Sequence, residues 1–289
     1  MFFTKMHGLG NNYVVFNQLE DVLSEDAYPK LARKVSDVYF GIGSDGIILI
    51  CSSKKAPFKM RIFNKDGSEA KNCGNGLRCV AKFLYDKKYV TSKIFTLETL
   101  GGVVTVEVEC NENEIVDYVT VDMGQPKLLK GLIPMIGNPL ATAINENYTI
   151  GDQAYTLSSL SMGNPHTVMF VEDVYQIPLE EIGPKIEHAD LFPERVNVSF
   201  VQVKNRQELQ YRVWERGSGM TMACGTGACA SVVAATLNNL VDKYKRIRVL
   251  LPGGDLIIRW DENGHVWMKG EASYICTGEL DEALLSAAK

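Results

Sequence analysis

One segment of this chain occurs twice, and that repetition restricts its possible folds more than any other property of the sequence. Lys59-Met60-Arg61-Ile62-Phe63-Asn64 is matched by Gln210-Tyr211-Arg212-Val213-Trp214-Glu215, and Cys73-Gly74-Asn75-Gly76 by Cys224-Gly225-Thr226-Gly227, a shift of 151 positions. Gly10-Asn11-Asn12-Tyr13 echoes Gly163-Asn164-Pro165-His166, and Gly101-Gly102 echoes Gly253-Gly254. The period is far too long for a solenoid repeat, so the chain reads as an internal duplication. In each copy a strand-like run leads through a turn to a cysteine, then to small residues and a helical pattern. In the first copy Asp66-Gly67-Ser68 supplies the turn, with Gly67 free to take positive φ. Leu77, Val80, Ala81 and Leu84 then recur at helical spacing. Each cysteine therefore stands at the mouth of a helix. Unsatisfied backbone N–H groups and the helix dipole there favour negative charge, whether a thiolate or a bound carboxylate.

The bulk properties narrow the class. At 289 residues, 46% hydrophobic and 22% charged, the chain has material for one large domain or two ordinary ones. A net charge of −5 and no basic stripe argue against a nucleic-acid partner. No apolar run approaches membrane-spanning length and the N-terminus lacks a signal-like apolar core, so no membrane partner and a cytoplasmic location are expected. The seven cysteines are odd in number and scattered, as free thiols rather than a disulfide framework.

Along the first half the expected order is a strand, a Gly-rich turn at 8–11, a second strand Tyr13–Phe16 and a helix Ala27–Ser36. Gly41 to Gly46 spells G-x-G-x-x-G, but the β-branched run Ile47–Ile50 follows where a dinucleotide site requires a helix. Ile94–Leu100 and Val103–Glu109 read as strands joined by a Gly-Gly turn. The seam between halves is expected at 110–118. The second half then repeats the pattern: strands near Tyr118–Asp122, Tyr155–Leu157 and Thr167–Val171, a helix around Leu179–His188, strands Val196–Val203 and Leu209–Trp214, the second cysteine helix Gly227–Leu240, and strands Arg246–Leu251, Asp255–Trp260 and Val266–Gly270. The fold class is α+β: two pseudo-symmetric halves, each a mostly antiparallel curled sheet around a central helix, with the active site expected in the cleft between them.

These residues resemble the diaminopimelate epimerase family. N-x-D-G-S-x4-C-G-N-G-x-R is met at each fixed position from Asn64 to Arg78. The opening K-M-H-G-L-G-N, G-N-P-H at 163–166, N-V at 197–198 and E-R-G…A-C-G-T-G-A-C-A at 215–230 are similar to the same family. The resemblance covers nearly the whole chain. It implies a cofactor-independent isomerase that converts LL-2,6-diaminopimelate to the meso form, in the synthesis of lysine and peptidoglycan precursors. A homodimer and no pyridoxal cofactor are also implied, and no metal is expected because no C-x2-C or H-x3-H spacing occurs. It further implies that the last strand returns to the first half, so that residues 1–118 with about 272–289 carry Cys73 and residues 119–271 carry Cys224. Met220 where many members have an acid, Gly46 where some have Gln, and Cys276 near a tyrosine of some dimer contacts depart from the family pattern.

Inversion at an α-carbon needs a base on one face, an acid on the other, and stabilisation of charge growing on the adjacent carboxylate. Cys73 and Cys224 are assigned as the acid–base pair, one thiolate abstracting and the other thiol donating, with roles exchanged in reverse. An ordinary thiol is only a few per cent ionised at neutral pH, so one of them must be activated. The pair shares one proton and predicts a bell-shaped pH–rate profile. Backbone N–H groups at Gly74-Asn75 and Gly225-Thr226 are candidates to hold the carboxylate. By resemblance, His166 and Glu215 tune the cysteines and grip the reacting amine, while Asn11, Asn64, Asn164, Asn197 and Arg216 bind the distal amino-acid end.

Other readings stay open at this point. Most cysteines in globular proteins are inert core residues, the reading kept for Cys51, Cys79, Cys110, Cys229 and Cys276. His7, His188 and His265 are taken as surface or packing residues, and the apolar stripe of 227–240 as core. A racemase of another amino acid such as histidine, a thiol redox protein cycling a Cys73–Cys224 disulfide, and a non-catalytic amino-acid-binding module are the rival functions.

Overall fold

The computed structural model describes residues 1–19, 23–71 and 73–286. Residues 287–289, the end of the segment expected to join the first half, lie outside the described residues. The chain divides into two compact units, Met1–Val121 with Gly270–Lys289, and Asp122–Lys269.

The first unit contains β1 (Phe2–Gly8), β2 (Asn11–Asn17), α1 (Ala27–Ser36), β3 (Gly46–Cys51), β4 (Phe58–Asn64), the two-residue β5 (Glu69–Ala70), α2 (Gly74–Asp86), β6 (Ile94–Thr99), β7 (Gly102–Cys110) and β8 (Val116–Asp122). The second contains a 3₁₀ turn (Lys130–Leu132), β9 (Ala143–Ile150), β10 (Gln153–Ser161), β11 (Pro165–Phe170), α3 (Leu179–Glu187), β12 (Asn197–Asn205), β13 (Glu208–Glu215), the short β14 (Gly219–Met220), α4 (Gly225–Leu237), β15 (Ile247–Leu251), β16 (Gly254–Trp260) and β17 (Val266–Glu271). β18 (Ser273–Glu279) and α5 (Glu282–Ser286) return to the first unit, where β18 pairs antiparallel with β1.

The duplication is kept strand by strand. In the first unit β1–β2 is antiparallel, β2–β3 parallel, β3–β4 antiparallel, β4–β6 parallel, and β6–β7 and β7–β8 antiparallel. In the second, β10–β11, β11–β12, β12–β13, β13–β15, β15–β16 and β16–β17 follow the same series of directions with β9 antiparallel on β10, as β18 is on β1. Each parallel pair needs a crossover, and α1 and α3 supply the first in each unit. Gly102 (φ +131°) and Gly254 (φ +134°) open the equivalent strands β7 and β16 in a backbone conformation closed to other residues. The echoed Gly-Gly pairs are thus the same turn made twice.

Burial explains why the strands read as they do. β3 is apolar at successive positions because both faces are covered. Ile47 and Leu49 pack with Tyr28, Leu31 and Val35 of α1, while the Ile48 side chain lies against Gly76 of α2. In the second unit Leu179 and Ile186 of α3 pack with Val198 and Phe200 of β12. The central helices are enclosed on every side. Every residue of α2 from Gly74 to Tyr85 is buried, and so is α4 from Gly227 to Thr236. A helix buried all round must be short and rich in small or apolar residues, which the sequence G-T-G-A-C-A-S-V-V-A-A-T-L satisfies.

Two expectations need correction. The Tyr118–Asp122 strand, expected to open the second half, is part of β8 and pairs with β7, completing the first sheet. The second cysteine helix ends at Leu237 rather than Leu240, because Asn238 caps it and Asn239 turns to positive φ (+58°). A strand the sequence did not reveal, β9, alternates half-buried with exposed residues along I-N-E-N-Y-T-I.

Candidate active site

Each unit seats its cysteine at the N-cap of its central helix. Cys73 has extended backbone (φ −149°, ψ 112°), and its sulfur accepts the Gly76 N–H at 3.4 Å. Cys224 is likewise extended (φ −118°, ψ 105°), with its sulfur 3.5 Å from the Thr226 hydroxyl. The first helical bonds, Leu77 N–H to Cys73 C=O and Ala228 N–H to Cys224 C=O, are both 2.9 Å. Amides of each helix's first turn, which no carbonyl of that helix can satisfy, therefore lie beside each sulfur. Gly74 and Gly225 begin those turns, followed by Asn75 and Thr226.

Around Cys73 a chain of amides fixes the geometry. Asn11 Oδ1 receives Asn75 Nδ2 at 3.1 Å and the Cys73 thiol at 3.8 Å, while Asn11 Nδ2 donates to Asp45 at 2.9 Å. Asp45 also accepts the Asn12 backbone N–H at 2.8 Å, which pins the start of β2. Arg78, fully buried, donates to Asn75 Oδ1 (2.9 Å), the Glu271 carbonyl (3.0 Å) and the Gly74 carbonyl (3.5 Å). Gly8 leaves room for it, since a Cβ there would sit 2.9 Å from Arg78 Nη2. Asn64 ends β4, with its amide donating to Ser68 Oγ at 3.0 Å. Gly46 faces Asn64 across the sheet, and a Cβ on it would be 2.3 Å from the Phe63 carbonyl, so the backbone itself excludes a larger residue there.

In the second unit the partners are different. Glu215, at the end of β13, accepts the Thr221 hydroxyl at 2.5 Å. Burial first, and the Glu215 carboxylate second, push the Cys224 thiol well above its ordinary range. Cys224 is therefore held as a thiol. His166 is fully buried on β11, and its Nε2 lies 2.9 Å from Asn164 Oδ1. Burial, then the Arg216 guanidinium, lower His166 to about 3, so the ring is neutral. With Nε2 as donor to Asn164, Nδ1 is a bare acceptor, and it finds no hydrogen-bond partner among the described residues. Asn197 donates to the Pro165 carbonyl (2.8 Å) and accepts the Arg216 N–H (2.9 Å), tying β11 to the turn after β13. The exposed Arg216 donates to the Glu194 carbonyl at 2.8 Å.

The residues anticipated from sequence thus gather within their own units. Asn11, Gly74 and Asn75 lie with Cys73, and Glu215, Gly225 and Thr226 with Cys224. His166, Asn164, Asn197 and Arg216 form one hydrogen-bonded or charged group. Asn64 is joined to the Cys73 unit through the Asp66–Ser68 turn, where Gly67 takes φ +85°. Met220, on β14, is half-exposed and pairs with Trp214. Sequence reasoning missed Asp45, Arg78 as a buried organiser, and two tyrosines. Tyr13 places its hydroxyl 3.2 Å from Cys73 Sγ, and the Tyr211 hydroxyl lies near Cys224, its oxygen and the sulfur 2.0 and 3.3 Å from where a Cβ on Gly227 would stand.

The family model for diaminopimelate epimerase matches residues 3–129 and 158–275. A curated diaminopimelate epimerase of Bacillus cytotoxicus is 54% identical over 276 residues, covering 96% of each chain. One of Bacillus anthracis is 52% identical over the same span, also 96% of each. Among solved structures, a phenazine biosynthesis protein of the PhzF family from Bacillus anthracis superimposes with TM-score 0.70 at 17% identity, covering 97% of this chain and 99% of its own. A hydroxyproline epimerase from Agrobacterium vitis, with trans-4-hydroxy-L-proline bound, gives TM-score 0.67 at 14% identity, covering 97% and 90%. These last two are likenesses of fold.

Proposed function

The chain belongs to the diaminopimelate epimerase family, and on that premise we propose that it inverts one α-carbon of LL-2,6-diaminopimelate to give the meso isomer. The observation that carries the reading is the pair of cysteines, one capping each central helix of a duplicated frame. In the proposed reaction Cys73 and Cys224 act on opposite faces of the same α-carbon. In one direction Cys73, as thiolate, takes the substrate's α-proton, while Cys224, kept as a thiol by burial and Glu215, gives its own proton to the opposite face of the carbon. The assignments exchange in the reverse reaction, each proton moving between carbon and sulfur with no cofactor holding it.

The helix mouths supply the second requirement. One preorganised donor contributes about 3–4 kcal/mol to a developing oxyanion, and enzymatic acceleration takes upwards of about 8 kcal/mol. Several first-turn amides at Gly74-Asn75 and Gly225-Thr226 must act together to reach it. The bare Nδ1 of neutral His166 is the acceptor for the reacting ammonium, assisted by the Glu215 carboxylate. Asn11, Asn64, Asn164, Asn197 and Arg216 serve the distal amino-acid end. We assign the protein to lysine and cell-wall precursor synthesis in the cytoplasm, acting as a homodimer. Among the described residues, no helix is long and apolar enough to cross a membrane.

Substrate choice tests the reading. Reduced protein without added cofactor is incubated in parallel with LL-diaminopimelate and with L-histidine, and the stereoisomers are separated chromatographically. Appearance of the meso isomer with histidine left unchanged is expected. Racemised histidine and untouched diaminopimelate would move the chain to another amino acid on the same scaffold.

A further inference from the structure

Both cysteines meet a tyrosine hydroxyl, yet the two tyrosines are not duplicates of one another. In the repeat, Tyr13 corresponds to His166, and Tyr211 corresponds to Met60. Tyr13 comes from β2 and reaches Cys73 Sγ at 3.2 Å. Tyr211 comes from β13, fully buried, and its hydroxyl lies on the Cys224 side of the central helix. Ser199 Oγ donates to the Tyr211 oxygen at 3.4 Å, so the tyrosine's own proton is free to turn toward the sulfur. Space for that hydroxyl is specific: a Cβ on Gly227 would lie 2.0 Å from it and 3.3 Å from Cys224 Sγ. A Cβ on the equivalent Gly76 would first meet the methyl ends of Ile48 (3.0 Å) and Ile62 (3.2 Å), and then Cys73 Cβ (3.6 Å). Two halves of one duplicated frame have therefore brought the same group to the same sulfur from different strands.

We propose that Tyr13 and Tyr211 are positioning residues, each holding one reactive sulfur and stabilising its thiolate by donating a hydroxyl hydrogen. This rests on the function proposed above only in taking both sulfurs as the reacting groups. Burial holds the Tyr13 hydroxyl, and likewise that of Tyr211, well above the ordinary phenol range. The proton therefore stays on oxygen when the sulfur ionises, and the tyrosine is then purely a donor. A hydrogen bond to a charged acceptor is roughly twice as strong as one between neutral groups, so the contact selects thiolate over thiol.

The other ionisable groups around Tyr13 and Cys73 within this unit are Asp45, Arg78 and Cys79. Asp45 opposes negative charge at the tyrosine. The Arg78 guanidinium on α2 favours negative charge, as its lowering effect on Cys79 shows. Burial keeps Cys79 a thiol, pushed up to about 12. Neither Asp45 nor Cys79 donates to the Cys73 sulfur, and among the described residues Tyr13 and the Gly76 N–H are placed to do so when it ionises.

The test is the rate of iodoacetamide alkylation of each cysteine in the full chain, resolved by peptide mass mapping, from about pH 5 to 10. Tyr13→Phe should raise the Cys73 midpoint by about one pH unit, roughly tenfold less thiolate at neutral pH, and leave Cys224 unmoved. Tyr211→Phe should slow Cys224 alone. The ascending limb of kcat/KM with diaminopimelate should rise with the Cys73 midpoint in Tyr13→Phe, with rates recovering at high pH. Unchanged midpoints in both variants would overturn the proposal, as would a parallel shift of both cysteines in one variant, which is the mark of general loosening. Alkylation needs no substrate. A chain that alkylates as expected yet fails to invert diaminopimelate would sink the functional reading and leave this one standing.

Discussion

Gly227→Ala and Gly76→Ala are the same change at duplicated positions, and the structure assigns them different costs. Both glycines lie in the first turn of a central helix, where alanine would normally gain up to about 1 kcal/mol in helix propensity. At Gly76 the added methyl meets Ile48 Cδ1 at 3.0 Å and Ile62 Cδ1 at 3.2 Å. Those are the free ends of flexible side chains, and a few tenths of an ångström of rotation relieves them. Propensity and crowding then cancel to within about 1 kcal/mol. At Gly227 the methyl would overlap the Tyr211 oxygen at 2.0 Å. That ring is fully buried, and its hydroxyl already accepts from Ser199 and lies near Cys224. The phenol must be displaced, at an overpacking cost of about 1–3 kcal/mol, so a net loss of up to about 3 kcal/mol remains. Because the displaced group touches Cys224, misplacement on the order of 1 Å should also cut kcat by about a hundredfold. Urea unfolding at unchanged slope and steady-state kinetics read the two effects. A Gly227→Ala protein as stable and active as the parent, or a Gly76→Ala protein more damaged than it, would refute the packing argument.

His166 should titrate far below an ordinary histidine, near 3. Its depressed value means the unfolded chain takes up a proton near pH 6.5 that the folded chain refuses, so stability attributable to this ring is lost as pH falls from about 6.5 toward 3, by about 1.4 kcal/mol per pH unit. Ring-proton NMR shifts that move between pH 6 and 7 for this residue would contradict it. Arg78→Met should lose about 1–3 kcal/mol in urea unfolding, since the buried Asn75 Oδ1 loses the Arg78 donor and a lost hydrogen bond to a buried group costs about that much. A loss under about 1 kcal/mol would show that acceptor finding another partner.

Much of the fold could be read from residues because the duplication repeats its punctuation. The Gly-Gly turns, the Cys-Gly-x-Gly helix starts and the apolar run after Gly46 each have one physical cause and occur where that cause requires. α1 was legible from Leu31, Ala32 and Val35 on one helical face. β9 was not, because its half-buried face carries the charged Glu146 between Ile144 and Tyr148, and a strand with one weakly covered face has little hydrophobic alternation. The Tyr118–Asp122 strand was given to the wrong half because only pairing partners decide where a seam falls. For the candidate site, the cysteines and the G-N-P-H histidine were visible as repeated or motif residues. Tyr13 and Tyr211 were not, since the repeat sets them against His166 and Met60 and only strand register brings their hydroxyls to sulfur. Arg78 was legible as a motif residue, but its burial and three acceptors emerge only from the packed helix.

The account stands on two sulfurs acting from opposite faces of one carbon, and isotope entry at early conversion tests that most directly. Reduced protein is mixed with LL-diaminopimelate in D2O and stopped within the first few per cent of turnover. The meso product should carry deuterium at a single α-carbon while recovered LL substrate stays unlabelled, and inversion should stop in Cys73→Ala and in Cys224→Ala. Deuterium in the recovered substrate ahead of product, or inversion that survives in either variant, would contradict it.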